Sequence, residues 1–129
     1  MKFICLDGSE IKMAVRPSEY PRRLDASKCQ TRIGDLIEEL FPHQILLEEF
    51  VIPKSGGLKI DFFLPTSLIA VEADGGQHNE FVPYFHQDKI GFQRSKNNDK
   101  RKEEWCRINN IRIIRVDDST TKEALSCLI

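Results

Sequence analysis

No apolar run in the sequence approaches the ~20 residues that a membrane-spanning helix requires, so no membrane partner is expected. Cysteine is sparse and unpatterned. Cys5, Cys29, Cys106 and Cys127 lie far apart with no C-x-x-C spacing, which argues against both a zinc knuckle and a disulfide scaffold. No secretory leader opens the chain, and a reducing, cytoplasmic setting is expected. An excess of either charge is also missing: the formal net charge is -1, which is not the footprint of indiscriminate nucleic-acid binding, and any such binding must come from local patches. Gly75-Gly76 lacks the spacing of a nucleotide fingerprint, and no serine or cysteine is accompanied by a partnered base.

What remains is an ordinary globular composition, 129 residues with 40% hydrophobic and 30% charged, enough for one domain with a real core. The most informative stretch runs from Leu58 to His78, LKIDFFLPTSLIAVEADGGQH. Leu58–Leu64 and Leu68–Asp74 are β-branched and aromatic runs of strand length, and Pro65-Thr66-Ser67 breaks between them. With Leu64 opposite Ile69, the register sets Asp61 across from Glu72 and Lys59 across from Asp74. Alternation then collects Ile60, Phe62, Leu64, Ile69, Val71 and Ala73 on an apolar face. The other face carries Lys59, Asp61, Phe63, Leu68, Ala70, Glu72 and Asp74, with facing residues roughly 5 Å apart. Three crowded carboxylates need an offset. A divalent cation such as Mg²⁺ supplies one, since hard cations take oxygen ligands from one or two carboxylates and keep waters. The alternative is a Lys59–Asp74 bridge with Asp61 and Glu72 solvated on an open sheet face.

Around this hairpin the chain is laid out in order. Lys2–Leu6 and Ile11–Val15 flank Asp7-Gly8-Ser9 as a short hairpin. Arg16–Arg23, with Pro17, Tyr20, Pro21 and three arginines, is irregular, and serves either as a solvated linker or as an arm whose Arg16, Arg22 and Arg23 lie on phosphates. Cys29, Ile33, Leu36, Ile37 and Leu40 repeat at helical spacing behind Asp25 or Ser27 as N-cap, which predicts a helix over about 28–40. Gln44–Ile52 is a further strand. His78 and His86 fall in a loop over 77–88; His78, close behind the carboxylates, could relay a proton or orient water, or be a surface histidine.

The stretch Ile90–Asn109 is predicted to be a helix with no apolar residue from Gln93 through Glu104, anchored by Phe92 at one end and by Trp105, Cys106 and Ile108 at the other. Helical spacing places Ser95, Asp99 and Lys102 on the inward line between those anchors. They form either the wall of a site or, for Asp99 and Lys102, a plain i, i+3 ion pair. Seven basic residues from Lys89 to Arg107, among them Lys96, Lys100 and Arg101, make this segment the expected phosphate-contacting surface. A strand over Ile111–Val116 and a short helix over Thr120–Leu128 end the chain.

The order helix, strand, strand, strand, helix, strand, with Asp on the second strand and Glu on the third, resembles the PD-(D/E)XK, or restriction-endonuclease-like, nucleases. More closely, IDFFLP, IAVEADGGQH and NDKRKEEWCRINNIRIIRV resemble the branch of very-short-patch repair endonucleases and phage-type homing endonucleases, with E-x-D-G-x-x-H the most specific part. The resemblance covers about 27–116. It implies an α/β fold with an αβββαβ core, a mixed sheet flanked by helices, over residues 27–129, preceded by a hairpin and arm over 1–26.

It further implies a Mg²⁺-dependent DNA endonuclease, with Mn²⁺ as substitute, of a prokaryotic or phage-infected cell. Asp61 would bind the metal and Glu72 would be the second acid. Asp74 stands where the superfamily has lysine, so that lysine's work falls to Lys102, Lys59, Gln77 or His78. Gln30 occupies the place of a further acid, which favours one-metal chemistry, and Asp99 with Lys102 would form the supporting wall. Targeting would come from the Arg16–Arg23 arm, DNA structure, dimerisation or a partner protein. The other reading is a catalytically inactive member of the fold that binds DNA or a partner.

Overall fold

The computed structural model describes residues 1–74 and 89–129, and of these the side chains of all but 89–93 and 95. Gln77, His78 and His86, and the side chains of Phe92 and Ser95, lie outside the described residues. The chain forms a mixed α/β structure. Strands β1 (Lys2–Ile4) and β2 (Glu10–Lys12) make a separate antiparallel hairpin, followed by a 3-10 turn at Pro17–Glu19. Helix α1 (Lys28–Leu40) then leads into β3 (Leu47–Val51), β4 (Lys59–Leu64) and β5 (Ile69–Ala73); α2 (Lys89–Ile108), β6 (Arg112–Val116) and α3 (Lys122–Leu128) complete the chain. The main sheet runs β3-β4-β5-β6, antiparallel except that β6 lies parallel to β5.

Local chemistry accounts for these boundaries. Ser27 Oγ accepts from Gln30 N at 3.1 Å and so fills one of the donors that the first turn of α1 leaves over. Helix α2 stops at Asn110, whose φ of 56° is the left-handed conformation that asparagine tolerates better than most residues. Ile111 N then returns to Cys106 O at 2.8 Å. Ser55 holds the β3–β4 turn by donating to Ile52 O at 2.7 Å and accepting from Leu58 N at 3.0 Å.

Two cores cover the two faces of the sheet. On one, Cys29, Ile33 and Ile37 of α1 and Leu125 of α3 pack with Phe62, Leu64, Ile69, Val71, Ile114 and Val116. On the other, Trp105 and Cys106 of α2 and Phe3 of the hairpin pack with Leu47, Phe50, Ile52, Leu58, Ile60, Phe63, Ala70 and Ile111. The face expected to be open is therefore covered around Phe63 and Ala70, both fully buried.

The expected register holds, with Leu64 paired to Ile69, but the expected faces do not hold throughout. Ile60 joins the α2 side rather than the side of Phe62. The cause lies in β3: Glu49 has φ 57° in the middle of the strand, and the β3–β4 ladder skips the step between Glu48–Phe62 and Phe50–Ile60. Leu47 and Phe50, three apart, consequently enter the same core, which strict alternation forbids. The irregularity falls beside Asp61.

Candidate active site

The β4–β5 ladder ends at Phe62–Val71, one step before the carboxylates. Beyond it the cross-strand bonds pass from carbonyls to side chains. Asp61 N donates to Glu72 Oε2 at 3.1 Å, and Ala73 N donates to Asp61 Oδ2 at 2.9 Å. The two acids that the register sets face to face thus stitch the strand ends together. Glu72 is 2% exposed. Lys102 reaches it from α2, with Nζ 2.9 Å from Glu72 Oε1. Burial of Cys106 and Trp105 turns this side of α2 inward, and Lys102, four residues before Cys106, shares it.

Placing two carboxylates in one dry spot has an electrostatic consequence. Burial, then the charge of Glu72 and its hydrogen bond, push Asp61 from an ordinary 3.8 up to about 8, against the weaker opposing pull of Ala73 N–H and Lys102. Burial works against the charge of Lys102, yet Glu72, Asp61 and Asp99 outweigh it and its pKa is raised. Asp61 therefore holds its proton more tightly than an ordinary carboxyl does.

Asp74 and Asp99 sit at the margin of this pair and converge on Arg115. Its Nη1 is 3.5 Å from Asp74 Oδ2 and 3.7 Å from Asp99 Oδ1, and its Nη2 is 3.2 Å from Glu103 Oε1. Arg115 is the Cα partner of Glu72 across the parallel β5–β6 pair. The structure thus gives Lys102 to Glu72 and sets Asp99 against Arg115, in place of the simple Asp99–Lys102 ion pair. Lys59 is exposed, and the Lys59–Asp74 alternative gives way to Arg115–Asp74.

A second polar cluster lies on β3. Glu48, 2% exposed, accepts from Arg22 Nε at 3.0 Å, Arg23 N at 2.9 Å and Gln30 Nε2 at 2.6 Å. Glu49 accepts from Arg23 Nη1 at 2.9 Å and Gln30 Nε2 at 3.2 Å. Arg22 also bonds Glu38, Asp35 and Thr31 O. Arg22 and Arg23, expected on phosphates, are thereby committed to carboxylates of their own chain, whereas Arg16 is exposed near Glu19. On α2, Arg101 donates to Ser55 O at 2.8 Å, Lys100 is exposed and Lys96 is partly covered.

Sequence reasoning missed Arg115, Glu48 and Glu49. Each carried a signal: charged residues set among the apolar ones of a strand, RIIRV in one case and QILLEEFVI in the other. Among the described residues no group of three or more His, Cys, Asp or Glu is disposed around a metal position. Two carboxylates converge, and Asp74 faces an arginine instead. Asp61 and Glu72 are nevertheless a donor set that a hard, largely hydrated cation accepts, and their mutual repulsion is the kind that such a cation relieves.

No family model and no solved structure matches the chain. Two curated viral proteins are similar to part of it. Uncharacterized protein 307L of Invertebrate iridescent virus 6 is 37% identical over 59 residues, 46% of this chain and 30% of that protein. Uncharacterized protein 033L of Invertebrate iridescent virus 3 is 36% identical over 59 residues, again 46% of this chain and 30% of its own length. The chain thus matches less than a third of the length of these relatives.

Proposed function

We propose that the protein is a Mg²⁺-dependent DNA endonuclease with a restriction-endonuclease-like core, in which Asp61 and Glu72 hold the ion and Lys102 serves the phosphate. The observation that carries this reading is the convergence of Asp61 and Glu72 from adjacent strands with Lys102 from α2, its Nζ 2.9 Å from Glu72. When bound, the ion would polarise a phosphoryl oxygen and lower the pKa of a coordinated water. The chain's own groups supply the rest. Lys102, kept charged by Glu72, offers an ammonium to the charge that builds on the phosphoryl oxygens. Asp61 and Glu72 are fixed by bonds to and from the strand backbone, so their oxygens hold one arrangement before substrate arrives. The exposed basic residues of α2, such as Lys100, lie on the same helix as Lys102 and suit the flanking phosphates.

Purified protein is incubated with supercoiled plasmid and with branched and mismatched duplexes in Mg²⁺, Mn²⁺ or EDTA, beside Glu72→Ala and Lys102→Met. The expected result is cutting in either metal, none in EDTA, none with Glu72→Ala, and a loss of about a hundredfold with Lys102→Met. Folded wild type that is as inert as Glu72→Ala on every substrate would overturn the enzyme reading. Retained DNA or partner binding would then identify a catalytically silent member of the same fold.

A further inference from the structure

Three carboxylates meet at the guanidinium of Arg115. Asp74 follows the end of β5, Asp99 and Glu103 are one helical turn apart on α2, and Arg115 itself is on β6 beside Glu72. Nε adds a hydrogen bond to Glu103 Oε1 at 3.3 Å. Lys102 lies between Asp99 and Glu103 in sequence, so a clamp on those two residues fixes the part of α2 from which Lys102 projects. Among the described residues, that clamp acts beside the Arg101–Ser55 O bond at the same turn of α2. Among its described residues only Trp105 and Cys106 are buried, and both lie beyond Lys102 toward the C-terminus.

We propose that Arg115 is the positioning residue that sets Lys102 against Glu72. It does so by joining the end of β5 to α2 through Asp74 on one side and Asp99 and Glu103 on the other. The catalytic consequence rests on the nuclease reading; the placement of Lys102 does not. A planar guanidinium with several donors can bridge three carboxylates in a fixed geometry, which a lysine ammonium on a flexible stem cannot. The role of Arg115 is one of position: Nε bonds Glu103, Nη1 pairs with Asp74 and Asp99, and Nη2, 3.2 Å from Glu103, is buried without a hydrogen bond of its own among the described residues.

Two measurements on Arg115→Gln and Arg115→Lys test this. The first follows the Lys102 ammonium signal in proton–nitrogen spectra of lysine-labelled protein, assigned by its loss in Lys102→Met. It is expected to broaden or shift in Arg115→Gln and to be intermediate in Arg115→Lys, while amide exchange at Trp105 and Cys106 stays as in wild type. An unchanged Lys102 signal in folded Arg115→Gln overturns the inference. Arg115→Lys decides the same point if the Gln variant does not fold.

The second measurement is a double-mutant cycle in cleavage. Arg115→Gln is expected to lower kcat about 10- to 100-fold with KM within about twofold, and to cost less than about threefold in the Lys102→Met background. Losses that multiply, or a rise in KM with kcat unchanged, would show that Arg115 acts on its own and overturn its role through Lys102. If wild type cuts nothing, the nuclease reading fails while the spectra still decide where Arg115 places Lys102.

Discussion

Asp61 is subject to two opposing demands. Its backbone and side chain both bond across to β5, which requires it to be where it is, and burial beside Glu72 raises its pKa to about 8, which makes its charged form unfavourable there. The proton is bound more tightly in the folded chain than in the unfolded one, where the value is near 3.8. Its contribution to stability is therefore complete below about pH 4 and is lost as pH rises through about 8. Urea unfolding without metal is expected to show stability falling over that interval by an amount on the order of 1 kcal/mol per pH unit at most. Asp61→Asn, which keeps an acceptor for Ala73 N but has no proton to lose, is expected to flatten that part of the profile. Mg²⁺ adds its own test at this residue. An ion that replaces the proton should raise the unfolding midpoint more at pH 8.5 than at pH 5, and equal effects at both would place its binding elsewhere.

Helix α1 shows how an element is fixed by a single close approach. Gly34 is buried where the helix meets Phe62 and the Arg22 guanidinium; a Cβ there would come within 2.6 Å of Arg22 Cζ and 2.8 Å of Phe62 Cζ. On an open helix face Gly→Ala stabilises by about 0.5–1 kcal/mol. Here the overlap with a ring in the core and a guanidinium bonded to the buried Glu48 should reverse the sign. Gly34→Ala is expected to destabilise by about 1–2 kcal/mol in thermal or urea unfolding, and a stabilised variant would show that Arg22 does not pack against α1 in solution. Helix α1 was legible because its apolar spacing and its Ser27 cap are local. The Asp61–Glu72 register was legible because Pro65-Thr66-Ser67 fixes the connection, and Lys102 because helical spacing ties it to Cys106. The switch of faces at Ile60 was not, because it depends on a left-handed φ at Glu49 that no composition signal marks. The carboxylate partners of Arg22 and the role of Arg115 were missed for a related reason: the interacting groups lie on elements distant in sequence, and the approach of β6 to β5 follows a crossover through α2.

At the scale of the whole molecule the first residues are part of the core that supports the site. Phe3 is 1% exposed, and its ring lies 5.3 Å from Trp105, 6.0 Å from Phe50 and 6.4 Å from Phe63. Asn109, at the end of α2, brackets Ile4 by accepting from its N–H at 2.7 Å and donating to its carbonyl at 2.9 Å. Tyr20 O accepts from Glu48 N at 3.1 Å, which ties the segment after the hairpin to the outer strand of the sheet. A sequence boundary near residue 26 is thus no seam in the packing, and the hairpin braces the end of α2 that lies next to Lys102. Phe3→Ala is expected to cost about 3–5 kcal/mol, a large share of the roughly 5–15 kcal/mol that a domain has in total. Deleting residues 1–15 uncovers the same aromatic cluster, and the single tryptophan, Trp105, reports it directly. Its emission should move toward that of a hydrated indole, and the truncated chain should be cut rapidly by protease. Unchanged emission and an unchanged unfolding midpoint would instead make the hairpin an appended arm, and among the described residues the support of α2 would then rest on Trp105, Cys106, the Arg101–Ser55 bond and the Arg115 clamp.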